Sequence, residues 1–427
     1  MEYILFVSYL VIFAWLVCKV KFFTKSGLNS SQLIILFLLK VLAGIFYGWV
    51  GLYYGQLAQM VDTWSFHFYG IEENRILLSN PIEYFTNIFR DDYQTGAVGF
   101  FASSNSYWND LKVNAMIKIL SIFNLFSLNN YFTNVIFFSF FTLFGPIAVY
   151  RVMNDVFPNM KVQVLLATFL VPSFLYWTSG IHKDGLLFTA IGIIVFQVYF
   201  GLKNKRFSII SLISIAFSLL IILVLRNFLI VIFIPALLLW IIANRFPNHT
   251  KTVYFTGYAF FILLFFTLKH VHHSLNFPAA VVNKQMEFSK LVGGSIVPMK
   301  KLDPTAISFF LNAPQALNLS VIRPYPSDVK HLLSLAAASE INILLLLFLM
   351  FLFWRVKTKP SSQFLYFCLF FSFSLLLTIG YTVNFLGAIV RYRSLIIPFL
   401  VVPMIAQINW NRINVLLFNN INKNTYI

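Results

Sequence analysis

The sequence predicts an all-α, polytopic integral membrane protein with about eleven transmembrane helices. Hydrophobic residues make up 59% of the 427-residue chain and charged residues only 11%, and the mean hydropathy is +0.80. Soluble domains carry about 25% charged residues, so this composition excludes that class. The apolar residues also fall in runs near the roughly 20-residue length that a helix needs to cross the hydrocarbon. The fold expected is a single transmembrane domain over residues 1–427.

Eleven apolar runs qualify as spans. In chain order they cover residues 2–18, 32–55, 131–150, 162–179, 185–201, 207–225, 228–243, 252–268, 336–354, 362–381 and 386–409. The sixth and seventh runs meet at Arg226 and Asn227 with almost no connection between them, so a re-entrant pair is an alternative there. The first run lacks the basic start and the cleavage site of a signal peptide, so we expect it to remain as a helix.

The short connections on one side of the predicted bundle are strongly basic. They hold fifteen basic residues against one acid, Asp155. These residues are Lys19, Lys21, Lys25, Arg151, Lys161, Lys203, Lys205, Arg206, Arg245, Lys251, Arg355, Lys357, Lys359, Arg412 and Lys423. Because cytoplasmic loops collect Lys and Arg, we expect a multi-pass protein of the cell (inner or plasma) membrane with its N-terminus outside and its C-terminus in the cytoplasm.

Two long stretches of opposite charge then lie on the outer side. Residues 56–115 have a net charge of −4, and residues 269–335 have a net charge of +4. The acids of the first stretch are Asp62, Glu72, Glu73, Glu83, Asp91, Asp92 and Asp110. Opposite charges should draw the two loops over a shared cleft whose basic wall concentrates an anion. Segment 112–128, shorter and carrying two lysines, is predicted to be an interfacial helix.

Asp62 is the candidate general base. It follows the second span by a few residues, where partial desolvation would raise its pKa; the alternative is a helix cap or a partner for Arg75. Aromatic residues accompany the acids of this stretch, and aromatic faces beside carboxylates suit sugar rings as well as membrane interfaces. Secondary candidates here are His67, Asp91, Asp92 and Asp110; for the adjacent pair Asp91 and Asp92, a solvated turn is the favoured interpretation.

Basic residues at helix ends are the candidate phosphate ligands. Lys183 stands at an outer turn and is followed by Asp184, so phosphate binding there competes with simple pairing of the two. Arg391 and Arg393 flank Tyr392 inside a span, where an arginine costs on the order of 2.5 to 3.5 kcal/mol unless it faces a cavity or a partner. A guanidinium fork suits phosphate oxygens. Secondary candidates for the phosphate are Arg226 and Arg323.

Several function classes find no support in the sequence. His270, His272 and His273 are irregularly spaced and have no adjacent Asp, Glu or Cys ligand, so no metal site is predicted and no cofactor is implied, although a divalent cation stays open. Walker, nucleophile-elbow and zincin motifs are absent from the sequence. The net charge is +17, but topology alone explains about half of the basic residues, and no basic-aromatic soluble module supports nucleic-acid binding.

Three segments together resemble bacterial GT-C type glycosyltransferases, a group similar to the family-39 mannosyltransferases and the aminoarabinose transferases. They are the first outer stretch opening at Val61-Asp62-Thr63-Trp64-Ser65-Phe66-His67-Phe68-Tyr69, the turn Pro172-Ser173-Phe174-Leu175-Tyr176-Trp177-Thr178-Ser179-Gly180 followed by Lys183-Asp184, and Arg391-Tyr392-Arg393 leading to Ile397-Pro398-Phe399. The resemblance implies transfer of a sugar from a polyprenyl-phosphate carrier at the outer face, with Asp62 as base and Arg391 or Arg393 on the phosphate. The paired acids at 91 and 92 and the stretch 269–335 depart from that pattern.

Two other classes remain as alternatives to a transferase. A surface-polysaccharide polymerase or ligase also has ten to fourteen spans and two large outer loops, but it is expected to rely on arginine rather than carboxylate. A lipid or solute transporter usually shows internal repeats and charges near the bilayer midplane. The sequence has no repeat, and its charges collect at the outer rim. The expected partners are a lipid-linked sugar donor and membrane lipids; the sugar, the acceptor and the oligomeric state are not determined by the sequence.

Overall fold

The computed structural model describes residues 2–53, 61–91, 93, 100, 101, 106–356 and 362–418. Within these ranges the chain is helical, with two isolated backbone bridges joining residues 296 to 385 and 355 to 408. The α-helices are α1 Glu2–Val17, α2 Lys21–Thr24, α3 Ser30–Tyr53, α4 Val61–Ser79, α5 Pro81–Thr86, α6 Tyr107–Ser127, α7 Tyr131–Val156, α8 Lys161–Phe169, α9 Pro172–Ser179, α10 Lys183–Lys203, α11 Ile209–Arg226, α12 Phe228–Arg245, α13 Thr250–Thr267, α14 Phe277–Ser289, α15 Ala306–Leu317, α16 Leu332–Phe353, α17 Ser362–Thr382, α18 Leu386–Ser394, α19 Ile397–Ala406 and α20 Trp410–Phe418.

The helices confirm a polytopic membrane protein. Eight of them in the described chain are long and apolar enough to cross a bilayer, namely α3, α7, α10, α11, α12, α13, α16 and α17. Two bent pairs, α8 with α9 and α18 with α19, raise the number to ten if each pair forms one span. The remaining predicted span, 2–18, corresponds to α1, which has 16 residues and is shorter than the usual span.

The sharply bent helix pairs are not at Arg226 and Asn227, where the sequence left a re-entrant pair as an alternative. Helices α11 and α12 are each span-length and meet at Asn227. The sharp bends are instead 52° between α8 and α9 and 66° between α18 and α19. Pro172 and Pro398 each stand in the first two positions of the helix that restarts the chain. A proline is tolerated there because its missing N–H would have had no partner within the helix.

The centre of the bundle is the contact of α7 with α10. Glycines allow the two backbones to approach closely: a Cβ on Gly192 would lie 2.7 Å from the carbonyl oxygen of Gly145. Small residues at helix interfaces are characteristic of membrane bundles. This contact fixes α10, whose first residues belong to the candidate site.

The acidic stretch is not a simple loop. Helices α4 and α5 fill much of it, and α6 begins at Tyr107, five residues before the predicted interfacial helix 112–128. The side chain of Ser106 caps α6 by accepting a hydrogen bond from the backbone N–H of Asn109. One face of α6 is buried against α4 and α11, so the helix belongs to the packed structure.

The basic stretch 269–335 is also largely helical and is tied to α18. It contains α14 and α15. The backbone N–H of Val297 donates to the carbonyl of Asn384 over 2.8 Å, and the N–H of Leu386 donates to the carbonyl of Ser295 over 3.0 Å. The acidic and basic stretches touch where Phe101 and Phe277 place their ring centroids 5.9 Å apart.

Basic connections that the sequence placed on one side do meet in space. The Arg151 guanidinium donates to the carbonyl of Phe22, and the Lys161 ammonium donates to the carbonyl of Gly27. Lys203 forms an ion pair with Asp155 at 2.6 Å. Asp62, Lys183 and Arg391 gather elsewhere, as described next.

Candidate functional site

A buried carboxylate with three basic partners forms the centre of the candidate site. Asp184 is fully buried at the start of α10. Its Oδ1 lies 2.8 Å from Nη2 of Arg226, and its Oδ2 lies 2.7 Å from Nε of Arg391 and 2.9 Å from Nδ1 of His182. These four residues and Asp62 are called the charge cluster below. Since a buried charge is tolerated only when it is paired, Asp184 holds α11 and α18 at the start of α10.

Asp62 stands at the open rim of the charge cluster. Its side chain is 53% exposed, and its Oδ2 lies 3.6 Å from Nε2 of His182 and 3.7 Å from Nη1 of Arg391. The His182 ring and the positive charges of Arg391 and Lys183 hold the pKa of Asp62 well below its usual range. The sequence-based expectation of a raised pKa is therefore wrong, because the basic partners outweigh desolvation. Asp62 is an ionised carboxylate at neutral pH.

Aromatic rings hold the two arginines in place. The Arg226 guanidinium lies 4.4 Å from the ring centroid of Tyr392, and the Arg391 guanidinium lies 5.6 Å from that of Trp177. Such contacts fix the guanidinium plane and add about 0.5 to 2 kcal/mol. Tyr392 thus acts within the site by supporting Arg226.

Two lysines extend the positive charge around the cluster. Lys183 is partly buried beside Asp184 and lies 6.0 Å from the ring centroid of Phe66. Lys112, on α6, was not predicted from the sequence. Burial and the charges of Lys284 and Arg226 lower the pKa of Lys112 to about 8. Lys112 therefore adds a cation to a region that already contains Lys284 and Arg226.

Cations outnumber carboxylates in this region. Lys183, Arg226 and Arg391 interact electrostatically with Asp62 or Asp184. Lys112 is a fourth cation, which interacts with Lys183 and Arg226, and Asp110 is a further acid near it. Lys284 at its edge is paired with Glu287 at 3.3 Å. An excess of positive charge of this kind attracts an anion.

Arg393 and Arg323 lie away from the charge cluster. Nη1 of Arg393 is 3.0 Å from the carbonyl oxygens of both Ser320 and Arg323. Arg393 therefore caps the helical segment Asn318–Ile322, which follows α15, because the last carbonyls of a helix have no partner within it. Arg323 itself is 3.6 Å from Asp328 and stacks on Tyr325. Arg393 therefore holds the basic stretch on α18, while the Arg323 side chain makes its contacts within that stretch.

His67 and Asp91 do not join the charge cluster. His67 is buried between the rings of Trp64 and Tyr131, and burial lowers its pKa to about 4, so it is neutral at pH 7. Asp91 is exposed and accepts the backbone N–H of Tyr93, as expected of a turn. Asp92 lies outside the described residues.

Two further buried residues, Glu340 and Lys40, support the site from other helices, and His182 of the charge cluster was also not predicted. The sequence contains a signal for each of them: His182 directly precedes the candidate Lys183, and Glu340 and Lys40 are ionisable residues within apolar spans. Such residues are unusual in a span unless they have partners. Glu340 accepts the backbone N–H and the hydroxyl of Ser173, both at 2.6 Å. Lys40 donates to the carbonyl of Thr178 at 2.7 Å. Both ends of α9 are thereby bound by charges.

Metal ligation has no visible basis in the part of the chain that the structure describes. That part contains no group of three or more His, Cys, Asp or Glu side chains arranged to hold an ion. His272 accepts the backbone N–H of Ser274 in a short helical turn.

The geometry suits binding of an oxyanion beside an ionised carboxylate. The lysines and arginines can neutralise phosphate oxygens, and Asp62 can accept a proton from a hydroxyl bound at the rim. Comparison with protein-family models, curated proteins and solved structures found no match.

Proposed function

We propose that the chain is a membrane glycosyltransferase that takes a sugar from a polyprenyl-phosphate carrier at the outer face of the membrane. The observation that carries this proposal is the convergence of Asp62, Arg226 and Arg391 around buried Asp184, with Asp62 exposed. An exposed base beside a cation-rich wall is what sugar transfer from a phosphate carrier requires.

In the proposed reaction the Asp62 carboxylate acts on the acceptor, and the basic side chains act on the donor phosphate. The acceptor oxygen attacks the anomeric carbon and forms the new glycosidic bond while its proton passes to the Asp62 carboxylate. The bond between the anomeric carbon and the phosphate oxygen breaks, and that oxygen keeps the electron pair. Arg391, Lys183 and Lys112 stabilise the charge that develops on the leaving phosphate. Arg226 acts mainly by pairing with Asp184.

The low pKa of Asp62 limits how it acts. A carboxylate with a depressed pKa is a weak base, so it accepts the proton late, when the acceptor oxygen has already begun to bond. It compensates by being fully ionised at neutral pH. The second task of Asp62 is therefore to orient the acceptor hydroxyl by accepting its hydrogen bond.

The test is transfer by the purified protein in lipid nanodiscs, with polyprenyl-phosphate and polyprenyl-diphosphate sugars as donors. Asp62→Asn keeps the shape but cannot take the proton, so turnover should fall by about 10² to 10⁴ while donor binding persists. The matched control is Asp91→Asn, an exposed acid of the same stretch, which should transfer normally. Normal turnover by Asp62→Asn would show that Asp62 is not the base.

A polysaccharide polymerase is the second candidate, favoured by the arrangement of the acids. Glu73 pairs with Lys118 and Asn87, and Asp91 lies in a turn, so of these acids only Asp62 belongs to the charge cluster. The cluster also contains two arginines, and a polymerase is expected to rely on arginine rather than carboxylate. Product length separates the two functions. A transferase adds one sugar to the acceptor, whereas a polymerase yields a ladder of products that grow by whole repeat units.

A further inference from the structure

A polar cavity lies between α4 and α6. Its volume is about 310 Å³, and its polar lining consists of Tyr69, Glu72, Glu73, Asn87, Asn114 and Lys118. None of these residues belongs to the charge cluster.

One wall of this cavity is already held in place. Oε1 of Glu73 accepts hydrogen bonds from the ammonium of Lys118 and from Nδ2 of Asn87, the latter over 3.0 Å. Lys118 also donates to the carbonyl of Tyr84. Glu73 and Lys118 are largely buried, with side-chain exposures of 15% and 14%. The carboxylate therefore presents a fixed acceptor to the cavity.

The remaining lining groups are available to a ligand. Within the described chain, the side chains of Tyr69, Glu72 and Asn114 have no hydrogen-bond partner, and Tyr69 is 56% exposed. An aromatic face, carboxylates and an amide match the apolar faces and hydroxyl groups of a sugar. Two carboxylates against one ammonium give the lining a net negative charge, which disfavours a phosphate and fits an uncharged saccharide.

Two residues that line the cavity lie on the same face of α4 as Asp62. Tyr69 and Glu73 follow Asp62 on α4 by seven and eleven residues, which is close to two and three helical turns and keeps all three on one face. A rise of 1.5 Å per residue places them about 10 Å and about 16 Å from Asp62 along the helix axis. These distances exceed one sugar unit.

We propose that this cavity binds an acceptor glycan, holding the sugar units that precede the one whose hydroxyl reaches Asp62. The assignment of the glycan as acceptor rests on the transferase function proposed above. The binding of a saccharide rests on the cavity alone. The acceptor class is thus an oligosaccharide of at least two units, rather than a peptide or a simple lipid.

The test is binding of the full-length protein in nanodiscs, without donor, to an array of bacterial surface oligosaccharides of one to six units. We expect binding to glycans of two or more units, a loss of about ten-fold or more in affinity for Tyr69→Ala and Asn114→Ala, and retention by Tyr69→Phe, which keeps the stacking face. The control is Phe68→Ala, since Phe68 is 59% exposed on the same helix and does not line the cavity. Thermal unfolding confirms that each variant is folded.

Two results would overturn the proposal: no glycan binding by the wild-type protein, or equal binding by Tyr69→Ala, Asn114→Ala and the control. Asp62→Asn separates the two proposals: its amide oxygen can still accept the hydrogen bond of the glycan hydroxyl, so the variant should bind glycan and fail only in transfer. If the cavity variants lose glycan binding while Asp62→Asn transfers at the normal rate, the glycan site stands and the proposed base is wrong.

Discussion

Arg391 and Arg393 have different roles because they leave α18 in different directions. Two residues apart on a helix means about 200° apart around its axis. Arg391 consequently reaches Asp184 and Asp62, whereas Arg393 reaches the carbonyls at the end of the basic stretch. The sequence motif contains two arginines that look equivalent, and the structure places only Arg391 in the charge cluster.

Lysine substitutions should separate these roles. Arg391→Lys keeps the charge but loses the planar fork, so binding of a polyprenyl-phosphate sugar should weaken ten- to a hundred-fold, the equivalent of roughly 1.5 to 3 kcal/mol for one charge-assisted contact. Arg393→Lys should keep donor affinity and instead lower the thermal unfolding midpoint. Donor binding and unfolding are measured on both variants at equal expression. Equal loss of donor affinity in the two variants would contradict the assignment.

Lys112 should give donor binding a pH dependence. Lys284, Arg226, Glu287 and Asp110 surround it, and burial together with the first two lowers its pKa to about 8. A cation with a lowered pKa is charged below that value and loses its charge as the pH rises through it. The KM for the lipid donor should therefore be constant near neutral pH and rise above about pH 8.

The control for this effect is Lys112→Arg, whose charge persists to higher pH. The rise in KM should disappear in Lys112→Arg, while Lys112→Met should have a high KM at every pH. A rise above pH 8 that survives in Lys112→Arg would show that another group is responsible.

At the scale of elements, the two bent spans position the site. Helix α9 leads into His182 and Asp184, and α18 carries Arg391. Breaks in helices leave backbone groups without partners, which is expensive in a membrane unless other groups satisfy them. Glu340 at the start of α9 and Lys40 at its end satisfy such groups, and their charges also match the helix dipole.

Removing Glu340 should therefore destabilise the protein. Glu340→Ala leaves the buried backbone N–H and hydroxyl of Ser173 without partners, at a cost of about 1 to 3 kcal/mol for each buried group. The thermal unfolding midpoint should fall, and transfer should fall with it because α9 positions Asp184. Glu83→Ala, at an exposed site, is the control.

A double-mutant cycle identifies the cause of that loss. Ser173→Ala removes the hydroxyl, so Glu340→Ala and Ser173→Ala should be non-additive by more than about 0.5 kcal/mol. Additive effects would mean that Glu340 stabilises the protein through some other contact.

At the scale of the whole molecule, the charges divide between two groups of connections. Contacts join the basic connections to one another through Arg151, Lys161 and Lys203, while the charge cluster gathers the ends of α10, α11 and α18. The positive-inside rule predicts that the basic group is cytoplasmic. The candidate site is then expected to open to the outside.

Cysteine labelling tests this orientation. Cys18 and Cys368 are free thiols and are replaced by alanine to give a background without cysteine. A membrane-impermeant maleimide added to intact cells should label Lys290→Cys but not Arg206→Cys, and permeabilisation should expose the latter; both positions are exposed in the structure. The reverse pattern would invert the topology and move the proposed donor site to the cytoplasmic face.

The sequence by itself determined the class of protein and the positions of its main helices. Apolar runs of span length have few other structures open to them, because a backbone in hydrocarbon must satisfy its own hydrogen bonds. The sequence also identified Asp62, Lys183, Asp184, Arg226 and Arg391 as candidates. It did so because ionisable residues at the ends of spans or within them need partners.

Tertiary structure alone decided which candidates meet and what charge state they have. Arg391 and Asp184 are 207 positions apart in the chain, and no local pattern records that they pair. The low pKa of Asp62 depends on His182 and Arg391, which other helices bring next to it. The position of Asp62 in the sequence suggested desolvation only, and desolvation alone would have raised its pKa. Arg393 was separated from Arg391 in the same way, because a helix sends neighbouring side chains to different surroundings and only packing determines what those surroundings contain.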